Sequence, residues 1–146
     1  MTFVDGSTEL FGILGNPVRH SLSPIMHNAA FASLGMNRIY VPMTAADPAQ
    51  AVPGLRALGF RGVSVTVPHK EAVIPFLDAV DPVAEQIGAV NTLLLRQDSA
   101  GKVLIEGYNT DWLGANAALI AAKVRLQGSR VLVAGAGGAA KAVAFG

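Results

Sequence analysis

Short apolar runs alternate along the chain with stretches that begin at a polar residue and proline and end at a glycine. The runs at residues 10–14, 38–43 and 62–67 have the length and the branched or aromatic side chains that are typical of β-strands. The stretches that separate them have the length of helices. This alternation predicts an α/β fold of βα units around a mostly parallel sheet.

Three of the predicted helices share their start and stop signals. Each begins at a side chain that can accept a hydrogen bond from a free helix amide, followed by a proline, which the first turn tolerates. Each ends at a glycine, the residue that most easily adopts the left-handed conformation of a helix end. These signals predict helices within residues 23–35, 47–59 and 81–88, with Ser23 as the cap of the first.

The second half of the chain carries a hairpin pattern and then the start of another βα unit. Apolar runs at residues 93–96 and 102–106 flank a turn that ends at Gly101, which predicts an antiparallel pair. A long helix is predicted at residues 110–125 and a strand at 131–134. The chain therefore contains one complete sheet domain and the beginning of a further unit.

Composition and charge narrow the classes of protein to consider. Apolar residues make up 51% of the 146 residues, which suits an α/β chain with buried strands. The formal net charge is +1 and there is no basic block, so nucleic acid is not an expected partner. There is no cysteine, and no apolar run approaches the roughly 18 residues of a membrane helix. We expect a cytoplasmic chain that binds a small molecule and has no membrane partner; its oligomeric state is not predicted.

An amine and a carboxylate stand at the ends of two different predicted elements. Lys70 follows the strand at residues 62–67, and Asp111 begins the long helix. Interconversion of a hydroxyl and a ketone requires a proton to move at oxygen, and a lysine held by a carboxylate can move it. Taken singly, these residues are more typical of a solvated side chain and a helix cap, so their pairing is a hypothesis that depends on the neighbouring motifs.

Small polar side chains near the same elements are candidates to hold a substrate. Ser21 and Ser23 lie at a predicted helix start, where free amides favour an anion such as a carboxylate. Thr66 and Asn91 follow apolar runs and could bond ring hydroxyls. A helix cap is the alternative interpretation of Ser23, whereas Ser21 is less readily explained in that way. Local turn bonds are the alternative for Thr66 and Asn91, and we interpret Asn109 as structural.

A glycine-rich turn directly follows the run at residues 131–134. A small-residue turn between a strand and a helix lets the backbone approach a pyrophosphate group closely. The candidate cofactor-binding residues are Gly135, Gly137, Gly138, Ala139 and Ala140.

The histidines predict neither a metal site nor a hydrolase. No two of them have the spacing of a zinc motif on a helix. A triad of His20, Asp111 and Ser21 or Ser23 would lack the glycine-flanked turn of a hydrolase nucleophile. No metal is predicted, and His69 is expected to be an exposed neighbour of Lys70.

Five of these elements, in this order, resemble the shikimate and quinate dehydrogenase family. The five segments are residues 16–24, 62–70, 89–92, 108–111 and 135–140. The resemblance implies a substrate-binding domain at residues 1–109. It also implies that residues 110–146 form the connecting helix, first strand and glycine-rich turn of a Rossmann-type, doubly wound NADP-binding domain.

The resemblance also implies roles and an activity. Lys70 and Asp111 would be the catalytic pair, Ser21 and Ser23 would bind the substrate carboxylate, and the whole enzyme would reduce 3-dehydroshikimate to shikimate with NADPH. Thr66 and Asn91 would contact the substrate as well.

Two alternatives and one expectation about the isolated chain remain open. Ser64 stands where many members of the family have asparagine, so a quinate or mixed specificity is an alternative, as is a non-enzymatic module that binds a shikimate-like acid. Trp112 also departs from the family's common pattern, and packing is its expected role. Only six residues follow Ala140, so we expect a truncated form that binds NADP poorly and does not turn over alone.

Overall fold

The computed structural model describes residues 4–146, which form a six-stranded sheet with helices on both faces. The strands are β1 (Glu9–Gly15), β2 (Arg38–Thr44), β3 (Phe60–Val65), β4 (Ala79–Val80), β5 (Thr92–Gln97) and β6 (Val103–Tyr108). The helices are α1 (Ser23–Ser33), α2 (Pro48–Ala57), α3 (Pro82–Ile87), α4 (Asp111–Ala121) and α5 (Gly138–Phe145), with a 3₁₀ turn at Ile74–Phe76.

The strand order in the sheet is β2-β1-β3-β5-β6-β4. The pairs β1–β2, β1–β3 and β4–β6 are parallel, whereas β5 is antiparallel to both β3 and β6. The prediction of a mostly parallel sheet with one antiparallel hairpin is therefore confirmed. Gly101 has a φ of +81° in the hairpin turn, as a glycine there allows.

The main core lies between one face of the sheet and α2 with the segments that follow β3. It includes Leu14, Val63 and Leu93 from adjacent strands and Val52 from α2, all at most 2% exposed. Alternate residues of β3 point inward, as the period of a strand requires, so Ser64 lies on the opposite face. This packing holds the ends of the central strands in place.

Helix α1 covers part of the opposite face. The ring of His27 stacks on that of Tyr40 with centroids 4.3 Å apart, and Phe31 packs against Phe11. The Asn28 side chain donates to the Tyr40 carbonyl and accepts from the Tyr40 amide, each at 2.8 Å. These contacts anchor α1, and the candidate substrate residues Ser21 and Ser23 lie at its start.

Two predictions for residues after 110 are wrong. Helix α4 ends at Ala121 instead of near residue 125, and Lys123 has a positive φ of 57° that stops the helix. The strand predicted at residues 131–134 is not formed, and Leu132 is 94% exposed. A strand needs a hydrogen-bonded neighbour, and none of the strands within residues 4–146 pairs with this segment.

One short element escaped prediction because it has no pattern of its own. Strand β4 has two residues and exists only through its pairing with β6. The predicted starts of α2 and α3 are confirmed, because Asp47 and Asp81 accept hydrogen bonds from the first-turn amides of these helices.

Asp5 should contribute to stability against acid. Hydrogen bonds from the Asn37 side chain and from Ser7 lower its pKa from the ordinary 3.8 to about 2. Because the folded state favours the carboxylate, this contribution is present above the ordinary pKa and is lost as the pH falls through about 2. The variant Asp5→Asn should therefore lose less of its thermal midpoint between about pH 4 and pH 2 than the parent chain, measured by circular dichroism. Identical pH dependence of the two proteins would contradict this prediction.

Candidate active site

The polar candidates lie at one edge of the sheet. The carboxyl ends of β1, β3 and β6 meet there with the amino end of β5, because β5 alone runs in the other direction. Backbone hydrogen bonds join the segments beyond these ends: Asn16 donates to Val67 at 2.9 Å, and Asn91 donates to Tyr108 at 2.9 Å. Motifs far apart in the sequence thus become neighbours.

Lys70 and Asp111 form a direct ion pair. The Lys70 ammonium donates to Asp111 Oδ2 at 2.5 Å, although the two residues are 41 positions apart. Their side chains are 15% and 30% exposed, so the pair is largely shielded but open to a ligand on one side. The amine and carboxylate considered together in the sequence are therefore in contact.

Asn91 occupies the other oxygen of the same carboxylate. Its side-chain amide donates to Asp111 Oδ1 at 2.8 Å and to the Thr110 hydroxyl at 3.0 Å. Its carbonyl oxygen accepts from the Thr110 backbone amide at 3.0 Å. With both oxygens bonded, the carboxylate is held in one orientation and in turn holds the ammonium.

Thr66 lies beside the end of β1, where Gly15 permits a close approach. The Thr66 amide donates to the Leu14 carbonyl at 2.9 Å, and its own carbonyl accepts from His69 at 2.9 Å. A Cβ atom on Gly15 would lie 2.3 Å from Thr66 Cγ2 and 2.9 Å from the Val67 carbonyl oxygen. The absence of a side chain at Gly15 is thus needed for Thr66 to sit at this edge.

Ser21 lies between β1 and α1, and Ser23 is the first residue of α1. The prediction that Ser23 caps α1 is wrong: Leu22 occupies the cap position, and the Ser23 amide donates to Ser21 Oγ at 3.3 Å. The hydroxyl that satisfies this first-turn amide thus comes from the serine two residues earlier. Both serines lie near the surface, and within the described residues neither hydroxyl bonds to Lys70 or Asp111.

The glycine-rich turn packs directly against the catalytic candidates. Gly135 has a φ of +127°, a conformation that favours glycine, and α5 begins at Gly138. A Cβ atom on Gly138 would lie 3.0 Å from the Cβ atoms of both Lys70 and Ala89. Beside this contact, the turn lines a cleft of about 420 Å³ together with Lys70 and Glu71.

This cleft fits the phosphate portion of a dinucleotide. Small residues of the turn line one side of it, so the backbone can come close to a ligand there, and the start of α5 favours an anion. Lys70 and Glu71, one basic and one acidic, lie on the other side. An ion pair between Lys141 and Glu71, with a 2.5 Å contact, joins α5 to the segment that carries Lys70. The sequence provided no signal for that pair.

The structure also shows the environments of His69 and Trp112, two side chains for which the sequence predicted exposure and packing, respectively. His69 is buried at 3% exposure, and its Nε2 lies 2.8 Å from the Ala45 carbonyl oxygen, so its predicted exposure is wrong. Its partner lies 24 positions away in the chain, so the local sequence pattern does not show this contact. Trp112 packs near Ile87 and Ala142 and meets the Phe145 ring edge-on, in line with the expected packing role.

Within residues 4–146, no three histidine or acidic side chains are grouped closely enough to hold a metal ion. Among the helices of this range, none has the length and apolar character that a membrane span requires.

Asn109, interpreted as structural from the sequence, is buried, and its side-chain oxygen accepts a hydrogen bond from the Asp111 backbone amide. An asparagine two residues before an acidic helix start is a recognisable local signal for this bond.

Comparison with protein families gives one match to a known domain. The family model described as the shikimate dehydrogenase substrate binding domain matches residues 13–93. A curated relative, shikimate dehydrogenase (NADP(+)) of Moorella thermoacetica, is 54% identical over 99% of this chain and 48% of its own length.

Solved structures show the same likeness. The crystal structure of shikimate dehydrogenase from Aquifex aeolicus is 40% identical with a TM-score of 0.88, over 98% of this chain and 53% of that chain. The structure of shikimate 5-dehydrogenase from Thermus thermophilus in complex with NADP(H) and shikimate is 46% identical with a TM-score of 0.79, over 94% and 51% of the two chains. The chain thus spans about half the length of the relatives it matches.

Proposed function

Since this chain belongs to the shikimate dehydrogenase substrate binding domain family, we propose that it binds shikimate and 3-dehydroshikimate and supplies the proton-transfer pair for their NADP-dependent interconversion. The observation that carries the proposal is the contact of the Lys70 ammonium with the Asp111 carboxylate at an open sheet edge. A non-catalytic binding module has no need of such a pair. The names of the matching relatives also favour shikimate dehydrogenase over a quinate enzyme.

The pair has a defined task in this reaction. Reduction of a ketone adds a hydride at carbon and a proton at oxygen. The Lys70 ammonium donates the proton to the carbonyl oxygen, and in the reverse direction the neutral amine takes it from the hydroxyl. Asp111 orients the amine in both directions. When bound, NADPH supplies the hydride.

The remaining polar candidates hold the substrate in this proposal. Ser21 and Ser23 receive the carboxylate, which the first turn of α1 also favours. Thr66 and Asn91 bond the ring hydroxyls. Asn91 keeps its bond to Asp111 and exchanges its bond to the exposed Thr110 hydroxyl for one to the ligand.

The glycine-rich turn would hold the NADP phosphates. The residues assigned to this role are Gly135, Gly137, Gly138, Ala139 and Ala140. The close approach of Gly138 to Lys70 supports this assignment, because it would place a bound dinucleotide next to the proton donor. A domain division at residue 109/110 and a cytoplasmic location also remain predictions.

Shikimate should protect Lys70 from an amine-directed reagent. At a shikimate concentration about ten times Kd, occupancy of the site should slow labelling of Lys70 by about tenfold. Peptide mass spectrometry measures the rate, and the exposed Lys102, with a side chain 63% exposed, is the internal control that should not change. An unchanged rate at Lys70 would contradict the proposed substrate site.

NADP should bind the 146-residue chain poorly, although the turn fits a phosphate. The segment before the turn is exposed and unpaired as a strand, so the turn has little support to resist rearrangement. Calorimetric titration should give a Kd weaker than about 1 mM. A Kd near about 1 μM would overturn this expectation. Titration with shikimate in the same buffer confirms that the protein is folded and competent.

A further inference from the structure

Asn109 is a buried amide that uses both ends of its side chain. It is 5% exposed and lies in the short link between β6 and α4. Its Nδ2 donates to the Ala89 carbonyl at 2.8 Å, and its Oδ1 accepts from the Asp111 backbone amide at 3.0 Å. The side chain therefore ties the start of α4 to the segment before β5.

The same segment also holds the other member of the ion pair. The Val90 amide donates to the Lys70 carbonyl at 2.8 Å, one residue after the carbonyl that Asn109 bonds. A continuous path of hydrogen bonds thus runs from the Lys70 backbone through Val90 and Ala89 to Asn109 and on to the Asp111 backbone. Ala89 and Val90 are fully buried, which makes this path rigid.

We propose that Asn109 is a positioning residue that sets the placement of Asp111 relative to Lys70. The inference rests on the proposed function for its catalytic meaning, but the placement itself concerns only the ion pair. Asn91 orients the carboxylate group and also accepts from the Thr110 backbone amide, whereas Asn109 holds the Asp111 backbone amide itself and ties it to Ala89. Loss of the tie to Ala89 allows the start of α4 to shift and the ammonium to lose its partner.

The test compares two asparagines that make the same kind of bonds. Asn28 also donates to a carbonyl and accepts from an amide, but it does so between α1 and Tyr40. Asn109→Ser keeps a hydroxyl that can accept from the Asp111 amide but is too short to reach Ala89 as well, and Asn28→Ser is the matched control. The readout is the labelling rate of Lys70 by an amine-directed reagent without shikimate, relative to Lys102.

We expect Asn109→Ser to raise the Lys70 labelling rate about tenfold, because the Lys70 side chain, now 15% exposed in the ion pair, becomes accessible to the reagent when its carboxylate partner is displaced. Asn28→Ser should leave that rate within about twofold of the parent chain, even though both variants lose a side-chain hydrogen bond between two elements and melt at lower temperature. Equal Lys70 rates in the two variants would overturn the inference, since a general loss of stability would then explain both.

A measurement on the unmodified chain covers the case in which Asn109→Ser does not fold. Amide hydrogen exchange at Asp111 should be as slow as at Val90, because both belong to the same path; fast exchange at Asp111 overturns the inference. Failure of the proposed function is separate. It appears as a lack of shikimate protection at Lys70 in the parent chain, which leaves the shikimate-free rates of the variants unaffected.

Discussion

Lys70→Met should lower the turnover of shikimate about 1000-fold while shikimate affinity changes by about threefold or less. Methionine keeps the unbranched apolar stem that packs by Gly138 but removes the only group of the pair that can donate a proton to the ketone oxygen. The loss should therefore fall on the chemical step. Substrate binding depends in the proposal on the serines, Thr66 and Asn91, which this change leaves in place.

The measurement needs a protein that contains both halves of the relatives. We would join this chain to the part of the 54% identical relative that it does not match, and measure kcat and KM for shikimate with NADP. Lys102→Met is the control. The Lys102 side chain is 63% exposed, and its ammonium makes only a distant contact of 4.0 Å with the Asp78 carboxylate. Lys102 also lies at the opposite end of β6 from the ion pair. Turnover by Lys70→Met within about threefold of the parent would refute the assigned proton donor.

Asp111→Asn tests the same assignment by a different route. The amide keeps the shape of the side chain but loses the charge that holds the ammonium. A smaller loss of about 100-fold is expected, because Lys70 still carries the proton but is less well oriented.

Leu93→Ala should lower the free energy of unfolding by about 3 kcal/mol. Leu93 is 0% exposed in β5, which lies between β3 and β6 in the middle of the sheet. Truncation leaves a cavity there that the surrounding strands cannot close, because they are joined by hydrogen bonds on both sides. The thermal midpoint should fall by about 10 °C.

The neighbouring Leu94 provides the control. It lies in the same strand but points to the other face and is 42% exposed, so Leu94→Ala should change the unfolding free energy by less than about 1 kcal/mol. Chemical denaturation of both variants at one pH gives the two values. Equal losses would mean that Leu93 does not belong to the main core.

Local signals in the sequence predict most of the elements correctly. An apolar run of strand length or an aspartate before a proline acts on residues next to it, as in the caps Asp47 and Asp81. The glycine-rich turn and the motif residues Lys70 and Asp111 could likewise be found from residue types and their order. Even so, the assigned roles of the substrate and cofactor residues rest on the resemblance and stay predictions.

Other features depend on segments that are distant in the chain. The run at residues 131–134 has a strand-like pattern, but within residues 4–146 it has no neighbouring strand with which to form hydrogen bonds. His69 is polar yet buried, and the Ala45 carbonyl supplies a hydrogen-bond partner for its ring. Strand β4 exists only beside β6. Propensity is a local preference, and hydrogen-bond partners decide whether it is realised.

The chain's own order of apolar runs, caps and glycines thus specifies a mostly parallel α/β domain and names Lys70 and Asp111 as candidates for one site. Contact between them, 41 residues apart, arises only when β5 is inserted antiparallel between β3 and β6 and brings Asn91 to the same edge. The physical reason is range: helix and turn signals act over a few residues, whereas an ion pair and its supporting amides require the folded sheet to bring separate strand ends together.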